Sequence, residues 1–291
     1  MFILLSCFVF SLVRDGGGEE KGVYAEKIFI ANNRGTYTLA EVVCPENPQG
    51  SMPLVAIAHG FTGTIDSGGA RELTRRLAAA GIASVRMDFN AYLTPSEDGA
   101  RSEEYTLATM EDDMLAAIRY MTGNYDIDTG RIGLYGRSMG GRVAMMMANE
   151  SYGGLHYHAM ALVAPAGTQQ AMIYFMGGKE AWNEMKAEAA EKGWVTYKGL
   201  HLRPEWFTQF EIYDPCAHGG QFGENSVLVI CNTLDYVVTD ETSKTCAKAY
   251  KNNRVIEVTT QDHHGYEMSY ENSQLKDLLM EEIVNHFRDN L

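Results

Sequence analysis

Gly136-Arg137-Ser138-Met139-Gly140 places a serine between glycines two positions away on either side. A serine hydroxyl is a weak nucleophile at neutral pH. It attacks a carbonyl carbon only beside a base whose tautomer a third group fixes. The β-like run Arg131–Tyr135 comes directly before the pattern and the helix-like run Gly141–Glu150 directly after it. In a strand–turn–helix setting the chain must reverse within about four residues, and the serine takes a strained backbone conformation at the tip. Side chains at 136 and 140 would collide with the neighbouring elements, which accounts for the glycines. Ser138 then stands at a helix N-terminus, where the dipole favours developing negative charge.

Eight histidines could supply the base. His59 ends the run Leu54–Ala58, and that position favours a structural anchor over a second base. His156, His158, His201 and His218 fall between the β-like runs, and His286 has amphipathic spacing in the last helix. His263 and His264 follow the final β-like run, Val255–Val258, at the end of the strands where a base can face Ser138. Asp235 follows the run Ser226–Ile230 on the same edge, while Asp240 and Asp262 read as solvated loop carboxylates. The order Ser138…Asp235…His263/His264 is the order used by α/β-hydrolases.

The elements that must hold these groups are legible as an alternation. Strands are expected at Tyr24–Ala31, Thr36–Cys44, Leu54–His59, Ala83–Met87, Arg131–Tyr135, Ala159–Val163, Ser226–Ile230 and Val255–Val258. Helices are expected at Gly69–Ala80, Met110–Thr122, Gly140–Glu150, Glu241–Tyr250 and Ser273–Phe287. Continuous apolar strands alternating with helices imply an α/β fold with a mostly parallel central sheet covered on both faces. The leading pair, joined by Asn32-Asn33-Arg34-Gly35, predicts an antiparallel edge. Between Val163 and Ser226 lie about sixty residues, too many for a structureless loop. They carry Trp182, Trp194 and Trp206 and read as an inserted cap at about 167–223, over the strand ends where open α/β sheets bind ligands.

On these motifs residues 23–291 resemble an α/β-hydrolase-fold serine esterase, most like the bacterial cinnamoyl/feruloyl esterase group. His59-Gly60-Phe61-Thr62-Gly63 is similar to that group's oxyanion loop, Leu234-Asp235-Tyr236-Val237-Val238 to its acid loop, and His264-Gly265-Tyr266 to its base signature. The resemblance implies Ser138 as nucleophile, Asp235 as acid, His264 rather than His263 as base, and the backbone N–H groups of Phe61 and Met139 as oxyanion hole. It implies hydrolysis of hydroxycinnamate or other small aryl or alkyl esters. Trp182 and Trp194, with Tyr197, either line an acyl pocket or pack the cap onto the body. Many relatives carry Gly-His-Gly after the strand ending at Asp88, whereas this chain has Phe89–Gly99, which changes the expected pocket wall.

Composition narrows the partners. The 291 residues are 45% hydrophobic and 21% charged, a globular balance. The net charge of −14 disfavours nucleic acid. No apolar run approaches the ~20 residues of a membrane span. Phe2–Val13 is nearly apolar without a preceding basic residue, so residues 1–22 read as a signal-like or disordered leader, placing the protein in export or the envelope in the first case and in the cytoplasm in the second. Cys7, Cys44, Cys216, Cys231 and Cys246 are too scattered for a disulfide framework or a paired-cysteine zinc site. Met145-Met146-Met147 reads as core, the Glu111-Asp112-Asp113 run as the acidic start of a helix, and Glu180, Glu184, Glu188 and Glu191 as a solvated face. No nucleotide fingerprint or metal motif is present in the sequence, so the expectation is a small-molecule ester substrate, no cofactor, and room for a homo-oligomer. A hydrolase or acyltransferase on thioesters, lipid esters or amides, and a non-catalytic binder on the same scaffold, are the alternatives.

Overall fold

The computed structural model describes residues 22–89, 105–264 and 274–291. The leader up to Lys21, the wall stretch Asn90 to Gly99 and the Gly265-Tyr266 pair lie outside those residues. The strands are β1 (Val23–Ala31), β2 (Tyr37–Pro45), β3 (Met52–Ala58), β4 (Ala83–Met87), β5 (Ile127–Arg137), β6 (Ala159–Val163), β7 (Val195–Tyr197), β8 (Leu200–Leu202), β9 (Ser226–Asn232) and β10 (Asn252–Val258). The helices are α1 (Ala70–Ala79), α2 (Leu107–Asn124), α3 (Met139–Glu150), α4 (Gln169–Phe175), α5 (Lys179–Lys192), α6 (Pro204–Ile212), α7 (Pro215–His218), α8 (Asp240–Lys248) and α9 (Gln274–Asn290).

Eight strands form one sheet in the order β1-β2-β4-β3-β5-β6-β9-β10. β2 runs antiparallel to both β1 and β4, and the remaining pairs are parallel. Side chains alternate between two cores, as a pleat with period two requires. Leu54 and Ala56 of β3 join Met114 and Ile118 of α2 and Val143 of α3 on one face. Val55 and Ile57 join Leu73 and Leu77 of α1 and Ile283 and Phe287 of α9 on the other. Strands covered on both faces explain why β4 and β6 are buried at every residue. Met145, Met146 and Met147 are core, and the glutamate face of α5 is exposed, both as the sequence suggested.

Arg86 in the middle of β4 is 1% exposed and pairs with Glu41 across the β2/β4 register, Nε to Oε2 at 2.6 Å. Its guanidinium also donates to the Ile65 carbonyl and to Asp66 at 2.8 Å, which tethers the loop after β3. The acidic run of α2 corrects the expectation of a helix start. A capping box between Thr106 and Thr109 begins the helix at Leu107, which puts Glu111, Asp112 and Asp113 in its second turn. Buried Asp113 instead accepts from Thr38 Oγ1 at 2.7 Å, Arg34 Nη2 at 2.6 Å and Asn32 Nδ2 at 3.0 Å, fastening α2 to the β1–β2 turn. Cys44, Cys216, Cys231 and Cys246 are free thiols.

Between β6 and β9 the chain leaves the sheet for α4, α5, the antiparallel β7–β8 pair, α6 and α7. Gly178–Lys192, rich in Ala, Glu and Lys, reads as helical and forms α5; α4, the hairpin, α6 and α7 match no element expected from the sequence.

Candidate active site

Ser138 sits between β5 and α3 with φ 54° and ψ −121°, a conformation that a side chain rarely adopts. The flanking glycines are obligatory. A Cβ on Gly136 would lie 2.3 Å from the Gly140 carbonyl oxygen, and one on Gly140 would lie 2.3 Å from that of Ala58. The turn is locked from both sides: Ser138 N donates to Val163 O at 2.8 Å, and Ser138 O accepts from Gly141 N at 3.0 Å and Ala166 N at 2.9 Å. A serine ahead of a helix ordinarily caps it with its hydroxyl. Here the side chain makes no capping bond, so Oγ is not consumed in holding up α3. Thr62, Ala164 and His263, in loops beside Ser138, also have positive φ. Strain of this kind persists where the surroundings over-determine the backbone.

The loops after β9 and β10 bring Asp235 and His264 together, with His264 Nδ1 2.8 Å from Asp235 Oδ2. The other carboxylate oxygen, Oδ1, accepts from Val237 N at 2.8 Å and Val238 N at 2.9 Å. Burial pushes the Asp235 carboxyl upward, but the hydrogen bond and charge of His264 and the two backbone donors outweigh it and hold the group below its ordinary value. An ionised carboxylate only accepts, so Nδ1 is the donor in this contact. His263 takes a different place: its Nδ1 is 2.9 Å from Leu234 O and its ring meets Tyr236. Asp240 pairs with Lys244 at the start of α8.

Ser138 and His264 line one cavity of about 270 Å³. Gly60, Phe61 and Met139 border it, and Ala166, Ala171, Met172, Phe175, Val237 and Val238 make an apolar wall. A Cβ on Gly60 would lie 3.2 Å from that of Ser138, so the loop carrying Phe61 presses directly on the Ser138 turn. His59 is spent on that loop: Nδ1 is 2.8 Å from Gly60 O, and Nε2 accepts from Phe89 N at 3.3 Å. The Phe61 ring is fixed by Tyr105, Phe175, Tyr197 and Trp206, with centroids at 5.5–6.0 Å.

The aromatic residues proposed from sequence are placed elsewhere. Trp182, 1% exposed, knits α5 to α6, with its ring 5.0 Å from Phe207 and Nε1 donating to Glu211 at 3.2 Å. Trp194 stacks on His201 at 5.0 Å and is 39% exposed. Neither borders the cavity. The α4 residues that do, Ala171, Met172 and Phe175, lie three and four apart behind the cap Thr168, and that helical spacing is the available signal. Among the described residues no group of three or more His, Cys, Asp or Glu side chains could hold a metal ion, and no helix is long and apolar enough to cross a membrane.

The architecture is that of the α/β-hydrolase fold. A sequence profile of the alpha/beta hydrolase domain matches residues 51–170, from the start of β3 to the start of α4. The ferulic-acid-bound structure of Est1E from Butyrivibrio proteoclasticus superposes with a TM-score of 0.71 at 20% identity, over 90% of this chain and 98% of that one. An acetyl xylan esterase from Paenibacillus sp. R4 gives 0.69 at 15% identity, over 98% and 89%. An esterase from the archaeon Pyrobaculum calidifontis gives 0.60 at 18% identity, over 91% and 85%. No curated protein matches the sequence at a significant level.

Proposed function

We propose that this chain is a serine carboxylic ester hydrolase that works through an acyl-enzyme. The observation that carries the reading is the 2.8 Å hydrogen bond between His264 and the buried Asp235 carboxylate, with His264 opening into the cavity that Ser138 also lines. His264 Nε2 takes the Ser138 proton as Oγ attacks the ester carbonyl carbon. The backbone N–H groups of Phe61 and Met139 receive the oxyanion. Met139 begins α3, where the first N–H groups have no partner inside the helix. One such donor contributes about 10²–10³ in rate. His264 then protonates the leaving alcohol, and a water deprotonated by the same ring releases the acid. Asp235 stays ionised throughout and stabilises the imidazolium.

The excursion between β6 and β9 acts as a cap, with α4 as its contribution to the pocket. The apolar wall suits small aryl or alkyl acyl groups. The fold shared with a ferulic-acid-binding protein and an acetyl xylan esterase supports an ester substrate, with hydroxycinnamate esters as the first class to assay.

The test is hydrolysis of short p-nitrophenyl esters and of methyl ferulate by the wild type and Ser138→Ala in parallel. Serine-dependent turnover of both is expected. Turnover of the p-nitrophenyl esters alone keeps the mechanism and removes the hydroxycinnamate assignment. A folded protein inactive on both directs the search to thioesters, lipid esters or amides, or to a binding role.

A further inference from the structure

His264 sits in the loop after β10, which among the described residues is an edge strand paired with β9. Its catalytic use requires the ring to stay within hydrogen-bond reach of Asp235, so something must hold that loop. Two side chains do so, Asn232 away from the cavity and Arg137 on its polar border, each gripping a backbone carbonyl beside the ring. Asn232, the last residue of β9, is fully buried. Its Oδ1 accepts from Leu234 N at 3.1 Å and Thr260 N at 3.1 Å, and its Nδ2 donates to Thr260 O at 2.9 Å and His263 O at 2.7 Å. An amide side chain has two donor hydrogens and two acceptor lone pairs, and all four are used here. One bond goes to the acid loop and three to the base loop, so Asn232 sets the separation of Asp235 and His264.

Arg137 holds the next carbonyl. Its Nη2 donates to His264 O at 2.7 Å. Gly68 leaves room for the guanidinium, since a Cβ there would lie 2.7 Å from Nη1. Among the described residues no carboxylate lies within ion-pair distance of Arg137, so its charge is available to strengthen this bond. Arg137 is also the residue before Ser138, so the base loop is tied directly to the nucleophile's turn.

We propose that Asn232 and Arg137 are positioning residues that hold His264 between Asp235 and Ser138. The inference rests on the serine-hydrolase reading above. Misplacing a catalytic group by about 1 Å costs roughly 10²-fold. Arg137→Met keeps the aliphatic stem and removes the donors. Its expected effect is a kcat about 10²-fold lower with KM within about threefold of wild type, and Arg137→Lys should recover part of that loss. Asn232→Ala should lower kcat further, with a reduced Tm.

The readout independent of turnover is the far-downfield proton resonance of His264 Nδ1–H bonded to Asp235. It should be present in wild type and Ser138→Ala, absent in His264→Ala, and weakened or exchange-broadened in Arg137→Met. A resonance unchanged in Arg137→Met overturns the clamp even if no ester is turned over. A rise in KM at constant kcat makes Arg137 a substrate contact instead, which also overturns it. A wild-type protein without the resonance refutes the pairing that the clamp serves, and the clamp with it.

Discussion

Replacing Ser138 by glycine should leave the protein inactive and more stable than replacing it by alanine. Both substitutions delete Oγ, which makes no capping bond. Both keep the backbone bonds to Val163, Gly141 and Ala166, which need no side chain. What differs is the backbone at φ 54° and ψ −121°. A non-glycine residue held in a sparsely populated region costs on the order of 1–3 kcal/mol. Glycine removes that strain and gives back about 0.5–1 kcal/mol through the greater freedom of its unfolded chain. The net gain is roughly 1 kcal/mol, or about 2–4 °C in Tm for a domain of this size. Differential scanning calorimetry of the two inactive variants side by side reads it directly. Equal Tm values, or a more stable alanine variant, would refute the argument that the fold stores strain at Ser138.

His264→Ala should lower kcat by several orders of magnitude, whereas His263→Ala, which loses only the Leu234 contact and the Tyr236 ring, should stay within about tenfold; steady-state kinetics on one p-nitrophenyl ester compares them. Trp182→Ala should destabilise by about 3–5 kcal/mol with KM unchanged, while Phe175→Ala should raise KM about tenfold with a smaller change in Tm. Burial, reinforced by the Arg254 charge, holds His286 down at about 4, against an ordinary value of 6.5. Between those values the unfolded chain binds the extra proton, so this residue's contribution is complete above pH 6.5 and is lost as the pH falls towards 4, by up to roughly 3 kcal/mol. Chemical denaturation across that window should show a shallower acid slope in His286→Gln.

The parts of the fold that local chemistry dictates were legible. Gly136 and Gly140 could be called for in advance because a reversal within one turn leaves no room for a Cβ. Two-sided burial makes β4 and β6 continuous enough to be read at their observed ends. Family likeness favours His264 over His263, and it is the His264 ring that lies within hydrogen-bond reach of Asp235 while that of His263 meets Leu234 O. The aromatic residues between β6 and β9 were not orientable, because a tryptophan that packs two helices together and one that faces a ligand look alike in sequence. Asn232 and Arg137 carry no such signal for a related reason: each bonds backbone groups, which have no side-chain signature. The acidic run of α2 misled because a threonine capping box began the helix one turn earlier.

The most direct test of the central claim is covalent labelling with a fluorophosphonate, followed by mass spectrometry of the modified peptide. The account predicts a single adduct on Ser138, lost in Ser138→Ala and slowed by orders of magnitude in His264→Ala. A folded wild-type protein that remains unlabelled, or one labelled at another residue, would contradict it.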